Sequence, residues 1–130
     1  MKAFIDTNVL IYWVDDSTRA DVVEQLLAQQ AVISVQVLNE VTSVCHRKLK
    51  LPWHETEALL MTVKAACEVV PLTLTSHEKA VALAKRFKLS FYDAHIVACA
   101  ALSGAQRLLT EDLQDGLQIE TLSIHNPFKL

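Results

Sequence analysis

Four acidic residues lie where apolar segments end, where helices begin or on an apolar helix face: Asp6, Glu40, Asp93 and Asp112. Carboxylates that are gathered in one place repel one another, and each raises the pKa of its neighbours. Hard divalent cations relieve this repulsion, and ligand sets made only of oxygen suit Mg²⁺ or Mn²⁺. If the fold brings these side chains together, the sequence therefore predicts a magnesium or manganese site.

Asp6 directly follows an apolar segment, Ala3-Phe4-Ile5, which is typical of a short buried strand. The next apolar stretch, residues 9–14, has the length and composition of a helix. Asp6 is therefore predicted at the carboxyl end of a strand, where open α/β sheets bind their ligands. An Asp in front of a helix is also an ordinary N-cap, so Asp6 gains its significance from the other acids.

Glu40 falls on a predicted helix over residues 37–49, on the same face as Val37, Val41 and Val44. A carboxylate on an apolar face is costly to bury unless it is paired or binds a metal ion. The alternative is that Glu40 lies at the edge of the apolar stripe and reaches water.

Asp93 precedes an apolar stretch, residues 94–102, that predicts a buried helix, so its side chain is expected to face the interior or a cleft. Asp112 follows a predicted strand, and the neighbouring Glu111 or Asp115 can take its place. The alternatives are a cap or dipole partner for Asp93 and an exposed loop acid for Asp112.

Short apolar strands alternate with helical stretches along the chain. This order predicts βαβ units and a mainly parallel sheet of about five short strands, covered by helices on both faces. The strands are predicted at residues 3–5, 31–34, 68–72, 107–110 and 119–122. Capping-box spacing at Thr18-Arg19-Ala20-Asp21 and at Thr75-Ser76-His77-Glu78 predicts two helix starts.

Length and composition favour a single domain, residues 1–130. Cys45, Cys67 and Cys99 show no paired spacing, so they are expected to be reduced core residues. The net charge of −3 argues against a general nucleic-acid coat protein, but not against a metal-dependent enzyme that acts on nucleic acid. The chain has neither an apolar run of membrane-spanning length nor a signal peptide, which predicts a cytoplasmic protein with no membrane partner.

Four segments resemble the motifs of PIN-domain nucleases: Phe4-Ile5-Asp6-Thr7-Asn8-Val9-Leu10, Leu38-Asn39-Glu40-Val41, Phe91-Tyr92-Asp93-Ala94 and Leu109-Thr110-Glu111-Asp112-Leu113. In length and motif order the chain is similar to bacterial VapC-type toxins, and the resemblance covers nearly all of it. It implies a Rossmann-like, three-layer α/β/α fold and a Mg²⁺- or Mn²⁺-dependent endoribonuclease. It also implies a homodimer, and the toxin of a toxin–antitoxin pair with a small antitoxin as its partner.

On this resemblance, the four acids are both the metal ligands and the catalytic residues. The ions they hold would polarise the scissile phosphate and lower the pKa of a water for in-line attack. Thr7, Asn8 and Thr110 would orient ligands or water, although ordinary helix capping explains these residue types equally well.

Other residues are assigned structural roles. His95 lies two positions after Asp93, about 200° around a helix, so the two side chains are expected to point apart. The cations Lys85, Arg86 and Lys88 are expected on a solvated helix face. Five aromatic residues are expected to pack the core rather than stack on bases: Trp13, Trp53, Phe87, Phe91 and Tyr92.

Two other functions compete with the nuclease interpretation. The same fold with its chemistry lost would be an RNA- or protein-binding module, but the presence of all four acids argues against this. Another α/β metal-dependent phosphohydrolase would typically need a nucleophilic or phosphate-cradling loop. With only Gly104 and Gly116, the chain has no glycine-rich candidate for that loop.

Overall fold

The computed structural model describes residues 2–15 and 18–129, and within these residues the chain forms six strands and six helices. The strands are β1 (Lys2–Ile5), β2 (Gln30–Ser34), β3 (Glu68–Val70), β4 (Arg107–Leu109), β5 (Gln118–Ile119) and β6 (Leu122–His125). The helices are α1 (Thr7–Val14), α2 (Ala20–Leu27), α3 (Val35–Arg47), α4 (Trp53–Ala66), α5 (Leu74–Phe87) and α6 (Phe91–Leu102).

The strands form a sheet in the order β3-β2-β1-β4-β6-β5, in which every neighbouring pair is parallel except β5 and β6. Phe4 of β1 pairs with Val32 of β2 and with Leu108 of β4, and all three side chains are buried. Burial of consecutive residues, without alternation, is expected where helices cover both faces of a parallel sheet.

Right-handed crossovers place the helices in two layers, one on each face of the sheet. Accordingly, α1 contacts α2 and α3, and α3 contacts α4, whereas α5 packs on α6. The predicted three-layer, mainly parallel α/β fold is confirmed. The chain leaves β1 for β2 on one side and later returns to β4 on the other side. The carboxyl ends of β1 and β4 therefore form a topological switch point, where open α/β sheets bind ligands.

The predicted count of about five strands is wrong, because residues 119–122 do not form one strand. Gln118–Ile119 and Leu122–His125 pair as an antiparallel hairpin, and the chain reverses between them, where Glu120 has a φ of 56°. Ile119 and Leu122 are both fully buried. Two inward-facing residues on either side of a turn therefore resemble one apolar strand in the sequence.

Neither predicted capping box forms at the predicted position. The capping box of α5 joins Thr73 and Ser76, two residues before the predicted one at 75–78. The N-cap of α2 is Arg19, whose side chain makes no capping bond, so the box predicted at 18–21 is absent.

The prediction for the aromatic residues is correct for only part of the set. Trp13 and Phe87 pack against the buried core. Trp53 and Phe91 are exposed, and Tyr92 is 73% exposed, so the prediction is wrong for these three. The three cysteines are free thiols, two of them buried, as predicted. In the part of the chain that the structure describes, no helix has the length and hydropathy needed to cross a membrane.

Candidate functional site

Asp6 is held at the carboxyl end of β1 by bonds to both neighbouring segments. It is the N-cap of α1, and its Oδ1 accepts a hydrogen bond from the Thr7 backbone N–H at 2.7 Å. Its own backbone N–H donates to the Leu109 carbonyl of β4 at 3.0 Å. Its Oδ2 accepts from the Thr110 hydroxyl at 2.9 Å and from the Asn8 amide at 3.2 Å. The carboxyl, which is only 5% exposed, is therefore fixed in its orientation.

Burial raises the pKa of the Asp6 carboxyl from its ordinary value of 3.8 to about 6. The hydrogen bonds from Thr110 and Thr7 lower this pKa, because they favour the charged form. The nearby carboxylates of Glu40 and Asp112 raise it by repulsion. A buried carboxyl among other acids is a group whose charged form a bound cation stabilises.

Asn8 and Thr110 link the end of β1 to the segment that follows β4. The Asn8 amide donates to Thr110 Oγ1 at 3.0 Å, and Asn8 Oδ1 accepts from the Glu111 backbone N–H at 3.0 Å. Thr110 Oγ1 also accepts from the Asp112 backbone N–H at 3.1 Å. These two polar side chains thus set the path of residues 110–112. The Thr7 hydroxyl is instead buried, with no hydrogen-bond partner among the described residues.

Glu40 is half-buried on α3, at the edge of a stripe in which Val37 and Val41 are fully buried. Its Oε1 accepts a hydrogen bond from the Gln36 amide at 3.2 Å. The same amide donates to the Tyr92 backbone carbonyl in the first turn of α6, also at 3.2 Å. Gln36 therefore ties α3 to α6 and orients Glu40 beside the first turn of α6.

Asp93 lies half-buried in the first turn of α6. The helix begins where the Ser90 hydroxyl accepts a hydrogen bond from the Asp93 backbone N–H at 3.2 Å. Residues 94–100 of the same helix are all buried. Asp93 thus lies at the solvent end of a buried helix, as its sequence context predicts.

The four predicted acids all line one cavity of about 430 Å³ at the switch point. Its walls also include the aromatic ring of Tyr12 and the basic side chain of Lys48. The structure thus brings together Asp6, Glu40, Asp93 and Asp112. Their assignment as metal ligands and catalytic groups stays a prediction.

The three candidates for the fourth acid differ in their surroundings. Asp112 is exposed and lines the cavity. Glu111 also borders the cavity, but its carboxylate accepts hydrogen bonds from the Tyr12 hydroxyl and the Arg19 guanidinium, each at 2.7 Å. The carboxylate of Asp115 accepts from a backbone N–H near the C-terminus at 2.8 Å. These contacts favour Asp112 as the acid that faces a ligand.

Arg19 forms a cluster with Glu111 and two aromatic rings. Its guanidinium carbon lies 5.0 Å from the centroid of the Tyr12 ring and 4.6 Å from that of Phe128. It also donates to the Tyr12 hydroxyl at 3.1 Å. Ionic and cation–π contacts therefore fix the position of the Arg19 guanidinium. The cluster neutralises one acid at the border of the cavity and anchors the residue next to Asp112.

His95 lies away from this cavity and is 8% exposed. Its Nε2 lies 2.9 Å from the Ser76 hydroxyl on α5. Burial, and then the neighbouring His77, lower its pKa, which favours the neutral ring. These contacts agree with the structural role predicted from its spacing to Asp93.

The groups around the cavity suit a hard cation, because its walls offer carboxylates and neither thiol nor imidazole. Among residues 2–15 and 18–129, no three Asp, Glu, His or Cys side chains lie close enough together to hold one ion as they are placed. Mg²⁺ needs no such cage, because it keeps several waters and binds through one or two carboxylates. The site therefore fits a magnesium or manganese ion that is bound partly through water.

Three residues at or beside the cavity are not predicted from the sequence: Gln36, Tyr12 and Arg19. Gln36 carries a usable signal, because it lies four residues before Glu40 and therefore on the same helical face. The contacts of Tyr12 and Arg19 with Glu111 span 99 and 92 positions of the chain. No local pattern marks contacts between segments so far apart.

Comparison with known proteins gives a match to a family. The family model of the PIN domain matches residues 3–114. No curated protein matches the chain.

Several solved structures are similar to the chain. In a toxin–antitoxin complex from Klebsiella pneumoniae, the matching chain is 25% identical, with a TM-score of 0.76, and the match covers 98% of this chain and 99% of that chain. In VapBC-1 from nontypeable Haemophilus influenzae, the identity is 16% and the TM-score 0.77, over 99% of this chain and 100% of that chain. VapC20 from Mycobacterium tuberculosis, a toxin that cleaves the sarcin–ricin loop, is 20% identical, with a TM-score of 0.68, over 85% of this chain and 91% of that chain. The last two likenesses show the shared fold.

Proposed function

Because the chain belongs to the PIN-domain family, we propose that it is an endoribonuclease that uses Mg²⁺ or Mn²⁺ to hydrolyse phosphodiester bonds in RNA. The observation that carries this proposal is the convergence of Asp6, Glu40, Asp93 and Asp112 on one cavity at the switch point of the sheet. The presence of all four acids, which repel one another, argues against a binding module that has lost its chemistry. The loop-cleaving activity of the similar toxin VapC20 also supports a nuclease.

The four carboxylates would hold the ion or ions by direct and water-mediated contacts. Once bound, such an ion supplies positive charge at the scissile phosphate and lowers the pKa of an attacking water. The protein orients the carboxylates: the Thr110 hydroxyl binds one oxygen of Asp6, and the Gln36 amide binds one oxygen of Glu40. Because these bonds exist before substrate arrives, the reaction needs less reorganisation of the site.

We further propose that the protein is the toxin of a type II toxin–antitoxin pair, and that a small antitoxin protein inhibits it. The Klebsiella pneumoniae complex supports this, because its matching chain is 25% identical and of nearly the same extent. In keeping with the family resemblance, the toxin would act on cytoplasmic RNA as a homodimer.

Cleavage assays with the purified protein test the enzymatic proposal. We expect single-stranded RNA to be cleaved with Mg²⁺ or Mn²⁺, not to be cleaved in excess EDTA, and p-nitrophenyl phosphate to stay intact. Asp93→Asn keeps the shape of the side chain and removes its charge. Its cleavage rate should fall by more than about 100-fold, since loss of a mere partner of a metal ligand already costs about 10- to 100-fold.

Circular dichroism should show that Asp93→Asn stays folded, so that the loss of rate belongs to the site. Near-wild-type cleavage by this variant would contradict the site assignment. Hydrolysis of p-nitrophenyl phosphate without cleavage of RNA would instead indicate a general phosphohydrolase.

Induced expression in bacteria tests the proposal that the protein is a toxin. The wild type should arrest growth and degrade RNA, whereas Asp6→Asn, expressed to the same level, should do neither. Equal growth arrest by both proteins, with intact RNA, would show that toxicity does not come from cleavage.

A further inference from the structure

We propose that a groove beside the acid cavity binds a nucleotide of single-stranded RNA that flanks the cleaved phosphate. This inference rests on the proposed function, because it names a second subsite for the same substrate. The groove encloses about 650 Å³, and its walls include Gln36, Asn39, Ser43 and Arg47 of α3 and Tyr92 of α6. Its volume lies in the range of about 300–1,000 Å³ that is usual for small-ligand sites.

The groove is continuous with the acid cavity, because Gln36, Glu40 and Tyr92 border both. Gln36 is only 7% exposed, and its amide donates to Glu40 Oε1 and to the Tyr92 carbonyl, each at 3.2 Å. The wall that the two spaces share is therefore fixed. When a phosphate enters the acid cavity, the adjoining nucleotide of the same strand lies beside the groove.

One polar stripe of α3 forms a wall of the groove. Positions 36, 39, 43 and 47 follow one another at spacings of three and four residues, which places them on one face of the helix. Their amide, hydroxyl and guanidinium groups can hydrogen-bond to base edges and to the backbone of an unpaired strand.

Arg47 is the exposed cation at the far end of the stripe. It lies seven residues after Glu40, which corresponds to about 10 Å along the helix axis. At this separation, Arg47 is not placed to contact the phosphate that the four acids would handle. Its charge suits the next phosphate along the strand.

Tyr92 provides an aromatic surface at the junction of the groove and the cavity. Its side chain is 73% exposed. The Phe91 ring meets it edge-on, with the two centroids 6.1 Å apart, so most of the Tyr92 ring stays open to solvent. Exposed rings beside a groove that carries a cation such as Arg47 are the surfaces on which unpaired bases stack. An aromatic ring, a cation and a polar stripe together favour single-stranded RNA as the occupant.

Binding of a short, fluorescently labelled, single-stranded RNA of mixed sequence tests the role of Tyr92. Fluorescence anisotropy with Mg²⁺ present separates binding from cleavage when every protein that is compared, including the wild-type reference, also carries the slowly cleaving Asp93→Asn substitution. Tyr92→Ala should raise the Kd about tenfold, as expected for the loss of one stacked base, and Tyr92→Phe should bind like the wild type. Trp53→Ala is the matched control, because it removes an exposed aromatic ring on α4, and its Kd should stay within about twofold of the wild type.

The dependence of binding on salt tests Arg47. Loss of one phosphate contact on a single strand reduces the slope of log K against log salt by about 0.7. Arg47→Ala should show this reduction and Arg47→Lys should not. Arg86→Ala is the matched control, because Arg86 is an exposed cation on α5 that does not line the groove. This variant should keep the wild-type slope.

Cleavage of the same RNA with Mg²⁺, measured in parallel, separates this inference from the proposed function. If the wild type cleaves RNA while Tyr92→Ala and Arg47→Ala bind it like the wild type, the groove proposal is overturned and the nuclease proposal stands. Equal weakening by the two control variants also overturns it, because the effect would not belong to the groove. If the wild type neither binds nor cleaves RNA, both proposals are overturned.

Discussion

Asp6 has two roles at one position, because it caps α1 and also contributes a carboxylate to the cavity. Both of its oxygens accept hydrogen bonds, from the Thr7 backbone N–H and the Thr110 hydroxyl. These bonds favour the charged form, but burial outweighs them, and the pKa rises to about 6. In the absence of a cation, the charged side chain therefore destabilises the folded state at neutral pH.

The raised pKa of Asp6 predicts that the metal-free protein loses stability as the pH rises. A carboxyl whose pKa is higher in the folded protein than in the unfolded chain binds protons preferentially in the folded state between the two values. The pKa rises by about 2, from 3.8 to about 6, at about 1.4 kcal/mol per unit. The free energy of unfolding should therefore fall by up to about 3 kcal/mol between about pH 4 and pH 7.

Urea denaturation in EDTA over this pH range measures the effect as a difference between the wild type and Asp6→Asn. Asn is also a good N-cap, so the variant removes the charge and keeps the cap. The stability of Asp6→Asn relative to the wild type should increase with pH. Asp21→Asn, at an exposed acid on α2, is the control and should run parallel to the wild type. A difference between Asp6→Asn and the wild type that is constant with pH would contradict the assignment.

Glu40 and His95 make opposite predictions for metal binding. Glu40→Gln removes a negative charge from the cavity and keeps an oxygen that Gln36 can bind, so Mn²⁺ affinity should fall about tenfold or more. His95→Gln should leave the affinity within about threefold of the wild type, because the ring contacts Ser76 on α5. Isothermal titration calorimetry with Mn²⁺ measures both. If affinity depended on His95 and not on Glu40, the assignment of the α3 face would be wrong.

Among the helices, α5 shows how a local capping bond sets where an element begins. The Thr73 hydroxyl accepts from the Ser76 backbone N–H at 3.0 Å, and Ser76 Oγ accepts from the Thr73 backbone N–H at 2.8 Å. Thr73→Ala should therefore lower the free energy of unfolding by about 1 kcal/mol. Thr75→Ala, two residues on and exposed, should stay within about 0.5 kcal/mol of the wild type. Urea denaturation measures both, and a larger loss for Thr75→Ala would place the cap at the position that the sequence predicts.

The sequence predicts the elements whose local signals are strong. β1, β2 and α6 lie within three residues of their predicted bounds, because uninterrupted apolar runs define them. The start of α5 lies two residues before its predicted position, because Thr75 and Glu78 match the usual capping-box pattern. The box that forms joins Thr73 to Ser76, and a Ser at its second position is not part of that pattern. The hairpin of β5 and β6 could not be predicted, because Glu120 and Thr121 form its turn without the Gly or Asn that usually marks one.

The acids of the candidate site could be predicted because each breaks a local pattern, at a strand end, a helix start or an apolar face. Their partners could not, because contacts such as that between Arg19 and Glu111 join segments far apart in the chain. The exposure of Tyr92 was also beyond prediction. It precedes a run of buried residues on α6, and the sequence does not show which part of the first turn of that helix its neighbours leave uncovered.

The whole molecule has a net charge of −3, and its candidate site is more acidic than basic. RNA is a polyanion, so the bare carboxylates repel the proposed substrate. Cations bound among the acids would turn this repulsion into attraction. Lys48, which lines the acid cavity, and Arg47, which lines the groove, add fixed positive charge. A ligand that replaces the metal ions in such a site must therefore carry positive charge of its own.

A basic side chain of an antitoxin is the ligand that we expect to compete with metal ions in this cavity. A guanidinium placed among Asp6, Glu40, Asp93 and Asp112 would pair bidentately with carboxylate oxygens that Mg²⁺ also needs. The antitoxin should then bind the metal-free protein more tightly than the Mg²⁺-loaded protein. Linkage therefore requires excess Mg²⁺ to weaken the complex. Affinity measured over a Mg²⁺ series at constant ionic strength excludes simple screening as the cause. An affinity that does not change with Mg²⁺ would leave steric blockage of the RNA path as the mode of inhibition.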